Sequence, residues 1–324
     1  MTDIKLIYDG KPEDFNWVGF GSCSGTNLRE CAKVIKPSAV FSDKPSAKLL
    51  QLAELSDVEK IVLNGFKECG SWKMAKGNPD MEADYWARSA VFNQKIVDEL
   101  HRHEDKIDAP IDLIVLGGYM RLVGDVLLEA YEDKIINVHP ANLSLVTYEG
   151  NTFDLSYDEG YSDVSQLFDS GLDAKPVERK FIGEDAVYDA IKAGQRKTCS
   201  SVIMVNNGID NGEIITTGPE VEVWDEYLNG TLAERAGCLR EYADAHQSMQ
   251  KVRSDWPALT MALKLISEGR VGLGPRDADS VGAMHFKEWR KVFLEGKYQR
   301  YDGCFVNYAT QKADLEFQAQ YGGK

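Results

Sequence analysis

The chain predicts an α/β protein built on a mostly parallel sheet, and three observations carry that prediction. Short unbroken apolar runs recur at residues 16–21 (NWVGFG), 39–42 (AVFS), 60–63 (KIVL) and 113–116 (LIVL). Unbroken runs of this length suit strands buried on both faces. Segments with helical spacing lie between them, and small-residue turns follow the first run and the fourth. Strands alternating with helices imply right-handed crossovers and parallel neighbours.

Taken in order, residues 1–15 are polar and read as a leader strand or arm. Residues 16–21 are the first core strand. The loop Ser22-Cys23-Ser24-Gly25-Thr26-Asn27 then opens a helix over 28–35. Small residues let a backbone approach a ligand, and a helix N-terminus offers free N–H groups and partial positive charge, which suits a phosphate. A tight strand-to-helix turn would demand the same residues, so composition alone leaves both readings open. Strand two is 39–42, with an exit turn at Asp43-Lys44-Pro45. Residues 46–55 have helical spacing, 60–63 read as strand three, and 67–79 are irregular. Residues 83–101 place Trp86, Ala90, Val91, Ile96, Val97 and Leu100 on an amphipathic helix. His101 and His103, in the charged run HRHEDK, read as a solvated helix end.

The organising stretch is 112–144. Its strand ends in Gly117-Gly118, residues 124–131 read as a short helix, and Ile135-Ile136 lead into Asn137-Val138-His139-Pro140. Side chains at i and i+2 of an extended chain share a face. Ligands of open α/β sheets bind at the carboxyl ends of strands. Asn137 and His139 therefore present an amide and an imidazole together where a substrate is expected. Taken singly, each has a plain structural reading. An Asn before a strand-end Pro satisfies its own turn, a lone His in an apolar strand is a hydrogen-bonded core residue, and Asp210 in Ile-Asp-Asn-Gly is a turn former.

Residues 117–123 (GGYMRLV), Asn137-x-His139-Pro140, Gly25-Thr26-Asn27 and VIMVNNGIDNGEII at 202–215 occur in the order of the folate-dependent formyltransferases, which the chain resembles over about 16–271. The resemblance is nearest to the branch that formylates glycinamide ribonucleotide. It implies a Rossmann-like formyltransferase fold with a mostly parallel sheet and flanking helices, to which this chain adds a loop insertion at about 148–182 and a C-terminal extension over 272–324. It implies 10-formyltetrahydrofolate as formyl donor and Asn137, His139 and Asp210 as catalytic residues. In that reading the Asn137 amide donates to the oxyanion, His139 carries the proton, and Asp210 orients the imidazole. The family's pterin cradle falls on Tyr119, Met120, Arg121, Leu122 and Val123. Backbone groups there would read the pterin edge, with Met120, Leu122 and Val126 as apolar walls. The substrate phosphate falls on Gly25, Thr26 and Asn27.

The chain departs from the family after His139, where Pro140-Ala141-Asn142-Leu143-Ser144 replaces the usual Ser-Leu-Leu-Pro, and the insertion follows. Long loops of this kind serve as lids or as surface embellishment. Residues 183–194 resume as a helix, with Asp185 and Val187 where the family often carries histidines. Strand-like 200–205 precedes a hairpin expected from 213–217 and 221–223 around the Asn211-Gly212 turn. Residues 232–269 are strongly helical. Five residues before Pro257, where the ribonucleotide enzymes place a substrate-contacting glutamate, stands Val252. The remainder, with Trp289, Phe293, Tyr298, Tyr301 and Tyr308, is expected to pack on the main domain.

With 37 Lys and Arg against 52 Asp and Glu, the net charge is -15, which opposes nucleic-acid binding because no basic footprint releases counterions. No apolar window approaches a membrane span, and the N-terminus lacks a signal-peptide layout. The six scattered cysteines form no CxxC or ligand pattern, so reduced thiols, a cytoplasmic protein and no metal are expected. A phosphorylated small amine is the expected substrate. The readings carried beside glycinamide ribonucleotide are another amine such as an amino sugar nucleotide, hydrolysis of the formyl donor, and a non-catalytic folate-binding descendant.

Overall fold

A computed structural model describes residues 4–148, 150–155, 178–224, 237–275, 290–299 and 303–306. The chain divides into two compact units: residues 10–137 with 204–207, and residues 1–9, 138–203 and 208–324. The division falls inside the strand Ile135–His139.

The first unit is an open parallel sheet. Its strands lie in the order Ile135–His139, Leu113–Leu116, Trp17–Phe20, Ala39–Ser42, Glu59–Val62, and each neighbouring pair is parallel. Trp17–Phe20, Ala39–Ser42 and Leu113–Leu116 are buried throughout, which is why they read as continuous apolar runs rather than alternating ones. Chain order reverses between Trp17–Phe20 and Leu113–Leu116. The loops leaving those two strands meet there: Gly117 N–H donates to Phe20 O at 2.9 Å and Ser22 N–H to Gly118 O at 3.0 Å. That is the topological switch point, where ligands of such sheets bind.

The helix Pro79–Ile107 is longer than its periodic core predicts because Asn78 caps it, its side chain accepting from Met81 N–H, and Asp108 ends it with φ 53°. Tyr85, Phe92, Ile96 and Leu100 form its buried face, packed with Phe20, Phe41 and Ile114. Two expectations fail here. Residues 46–55 form only the 3-10 turns Lys48–Gln51 and Ala53–Leu55, and 67–79 contain the short helices Gly65–Cys69 and Trp72–Ala75. The expectation of a solvated His103 is also corrected. His103 is buried, its Nδ1 2.9 Å from Glu59 Oε2 and its Nε2 2.9 Å from Ser38 Oγ, joining the helix end to two strand edges.

The second unit is largely antiparallel. Ser201–Met204 pairs with Ile214–Thr217, with a bulge between Val202 and Ile203, and Val221–Glu222 pairs separately with Lys197–Thr198. The Asn211-Gly212 turn therefore links 201–204 to 214–217, not 213–217 to 221–223 as expected. Leu145–Tyr148 is flanked by Asn151–Asp154 and Glu178–Arg179. The polar N-terminal arm contributes Lys5–Leu6, an edge strand on Val271–Leu273, which in turn pairs with Val292–Leu294 from the C-terminal extension. The helices Leu239–Gln250 and Trp256–Ser267 are joined by a π-helical turn, Lys251–Asp255. Pro257 supplies no N–H to continue the ladder at that point. Trp289, Tyr301, Tyr308 and most of the 148–182 insertion lie outside the described residues.

Candidate active site

The strand Ile135–His139 carries Asn137 and, two residues on, His139, a spacing that puts both side chains on one face. His139 is only 4% exposed. Its Nδ1 lies 3.3 Å from Asp210 Oδ2, and its Nε2 lies 2.9 Å from Phe181 O. Both ring nitrogens thus face oxygen atoms, one of a carboxylate and one of a backbone carbonyl. Asp210 sits on the loop before Ile214–Thr217 with φ 50°, a left-handed conformation that costs a non-glycine residue on the order of 1 kcal/mol or more. The same Oδ2 accepts from Gly183 N–H at 2.9 Å. A carboxylate beside an imidazole is an arrangement able to hold and move one proton.

The phosphate-type loop lies at the switch point of the first unit. Gly25 has φ 68° and is the residue before the helix Thr26–Val34; a Cβ there would also press on Leu49, so two constraints select glycine. Thr26 Oγ1 is buried without a hydrogen-bond partner. Asn27 is buried in the first turn.

The expected pterin cradle, residues 119–123, lies on the loop that leaves Leu113–Leu116. Met120 N–H donates to Ser22 Oγ at 3.0 Å, so it is engaged inside the fold. The Met120 side chain is 55% exposed and forms no wall of a closed core, while Leu122 and Val123 are half-buried. Tyr119 packs edge-on against Phe20 and Phe41. Arg121 is turned inward: Nε donates to Asp43 Oδ2 at 2.8 Å, Nη1 to Cys69 Sγ at 3.3 Å and Nη2 to Gly70 O at 3.1 Å. Asp43 completes the network by accepting from Ser22 Oγ at 2.5 Å. The guanidinium is fully engaged in tying the 118–123 loop to its neighbours.

The Formyl transferase family matches residues 20–153, a stretch that includes the switch-point loops, Asn137 and His139. Similarity to individual proteins reaches beyond that stretch. A phosphoribosylglycinamide formyltransferase of Bacillus subtilis (strain 168) is 28% identical over 203 residues, 60% of this chain and 74% of the relative. Two solved phosphoribosylglycinamide formyltransferases share the fold. One from Coxiella burnetii has TM-score 0.54 at 18% identity, covering 90% of this chain and 99% of its own. One from Anaplasma phagocytophilum has TM-score 0.53 at 18%, covering 90% and 98%. The fold is therefore the Rossmann-like formyltransferase fold, a largely parallel sheet with flanking helices.

Several groups at this candidate site were invisible to sequence reasoning. Phe181 and Gly183 touch the His139–Asp210 pair through backbone atoms, and backbone contacts leave no residue-type signal. Asp43 read only as part of a turn. Asp185 and Val187 have other duties: Asp185 pairs with Arg240 on the surface and Val187 packs with Leu239 and Tyr242. Val252 is 49% exposed on the π-helical turn. Among the described residues, no three His, Cys, Asp or Glu side chains gather as a metal site would need, and no helix is long and apolar enough to cross a membrane.

Proposed function

We propose that this chain transfers the formyl group of 10-formyltetrahydrofolate to the amine of glycinamide ribonucleotide, a step of purine biosynthesis, with Asn137, His139 and Asp210 as the catalytic residues. The observation that carries the reading is the buried His139–Asp210 contact at 3.3 Å, on the strand that also bears Asn137. In the reaction the amine nitrogen bonds to the formyl carbon, the bond from that carbon to N10 breaks, and one proton passes from the amine to N10. Asn137 donates to the oxyanion that forms between these events. His139, held by Asp210, faces that oxyanion and the transferring proton. When Nε2 exchanges the Phe181 carbonyl for substrate, its proton can be passed on.

Gly25, Thr26 and Asn27 bind the substrate phosphate in this reading. The positive φ of Gly25 and the unpartnered Thr26 hydroxyl support it, since a helix N-terminus with a free hydroxyl suits an anion. The 119–123 loop receives the pterin, and Met120, Leu122 and Val123 supply apolar surface. Free cysteines, two of them exposed, fit a reducing cytoplasm. One departure favours a different phosphorylated amine: Val252, half exposed where the ribonucleotide enzymes carry a glutamate.

The test is tetrahydrofolate release by the purified chain with the formyl donor, in the presence and absence of glycinamide ribonucleotide. Amine-dependent release is expected, and His139→Ala should lower kcat on the order of 10²–10⁴-fold. Failure with that acceptor but success with another phosphorylated amine would move the assignment to the second acceptor. Release of formate without any amine would replace transfer by hydrolysis.

A further inference from the structure

The segment that returns from the insertion, residues 178–183, makes four polar contacts that bear on His139 and Asp210. Phe181 O accepts from His139 Nε2, and Gly183 N–H donates to Asp210 Oδ2. The other two come from Arg179, in the strand Glu178–Arg179 that pairs with Leu145–Tyr148. Its Nη1 donates to Asp210 O at 2.6 Å and its Nη2 to Gly212 O at 2.7 Å. The side chain is buried, with the residue 7% exposed. A guanidinium placed on two carbonyls two residues apart fixes the turn between them, because its nitrogens sit in one rigid plane.

That turn needs fixing. Asp210 is held at φ 50°, and a non-glycine residue stays in the left-handed region only when its surroundings over-determine it. Relaxation of φ at Asp210 would swing the carboxylate off Nδ1 of His139. The other carboxylate in the neighbourhood is engaged elsewhere: Glu213 pairs with Arg290 at 2.9 Å. Burial pulls the Arg179 guanidinium below its ordinary value, opposed by the carboxylates of Asp210 and Glu213.

We propose that Arg179 is a positioning residue for formyl transfer, clamping the Asp210 turn so that the carboxylate stays on the His139 imidazole; the kinetic part of this rests on the formyl-transfer reading above. Arg179 touches no reacting atom. The device belongs to the return segment of the insertion, so the insertion contributes to the catalytic pair whatever its remaining residues do.

The experiment uses the full chain and the variants Arg179→Lys, Asp210→Ala and the double variant. Arg179→Ala would strip two buried carbonyls of their donors and endanger folding, whereas Lys keeps the charge but has a single donor nitrogen in place of the planar fork. For Arg179→Lys, kcat is expected to fall roughly 10- to 100-fold, the scale of a small misplacement of a catalytic group, with both KM values within about threefold. In the Asp210→Ala background the same substitution is expected to change kcat less than about twofold, because the group it positions is gone. The His139 ring ¹⁵N resonances should shift in Arg179→Lys in the direction seen for Asp210→Ala. Wild-type kcat in Arg179→Lys, or an equal loss in the two backgrounds, would overturn the proposal. If the wild-type chain transfers no formyl group to any amine, the function reading fails alone. The ring resonances then decide for Arg179: shifted resonances support the clamp, and unshifted ones overturn it.

Discussion

His139 Nδ1 lies 3.3 Å from Asp210 Oδ2, although 71 positions separate the two residues (210 − 139). A strand end supplies one partner and a left-handed loop residue the other. The imidazole is buried, with its second nitrogen on the Phe181 carbonyl. An orientation so closely bounded leaves the ring one useful direction in which to present a proton.

Asp210→Asn tests that relationship directly. The amide keeps the carboxylate's shape but removes its charge, so the imidazole loses its anionic partner. A fall in kcat on the order of 10²–10⁴ is expected, with KM for both substrates changed less than about threefold. Steady-state kinetics at saturating donor measure it. A variant as fast as the parent would leave Asp210 a turn residue only.

Arg121 is predicted to matter for stability before it matters for folate. Its partner Asp43 is buried, and the pair is joined at 2.8 Å. Removing one member of a buried pair costs about 3–5 kcal/mol, because the other is left charged and desolvated. Arg121→Met should lose that much in urea unfolding, and Asp43→Asn with Arg121→Met should regain a large part of it. Should the single variant unfold at the parent's midpoint, the network contributes little.

His246 makes stability depend on pH. Thr198 Oγ1 donates to Gln250 Oε1 at 2.5 Å, so the 2.7 Å contact to His246 Nε2 has the ring donating. Its Nδ1 faces Tyr242 OH at 3.4 Å. The ring is therefore neutral, and burial lowers its pKa from the ordinary 6.5. With the folded value below the unfolded one, the unfolded chain takes up the proton first as pH falls. The stability is fully present above about 6.5 and is lost as pH drops from there to the folded value, at up to about 1.4 kcal/mol per pH unit. The difference in melting temperature between the parent and His246→Gln should narrow from pH 7.5 to pH 5. Parallel pH profiles for the two proteins would show that His246 does not carry the effect.

Much of the first unit was legible because its information is local. Strands buried on both faces require unbroken apolar runs, and those at 17–20, 39–42 and 113–116 appear as such in the chain. The helix over 79–107 announced its core-facing stripe but not its length, because its ends depend on caps at Asn78 and Asp108. Residues 46–55 carry helical spacing yet form only 3-10 turns. Periodicity there was a weak guide, since ten residues are too few for a helix to hold without packing. His103 misled for a different reason: its neighbours in sequence are charged, while its neighbours in space are Glu59 and Ser38.

From the residues alone come the order of the parallel strands' apolar runs, the amide and imidazole at one strand end, and the small-residue loop before the first helix. Each follows from chemistry within a few positions along the chain. Folding had to supply the rest: the aspartate that meets the imidazole, the inward turn of Arg121 onto Asp43, and the grip of Arg179 on two carbonyls. Those depend on contacts across 31 or more positions, many to backbone atoms that every residue carries. No local pattern can encode a partner whose only distinguishing property is where the chain has placed it.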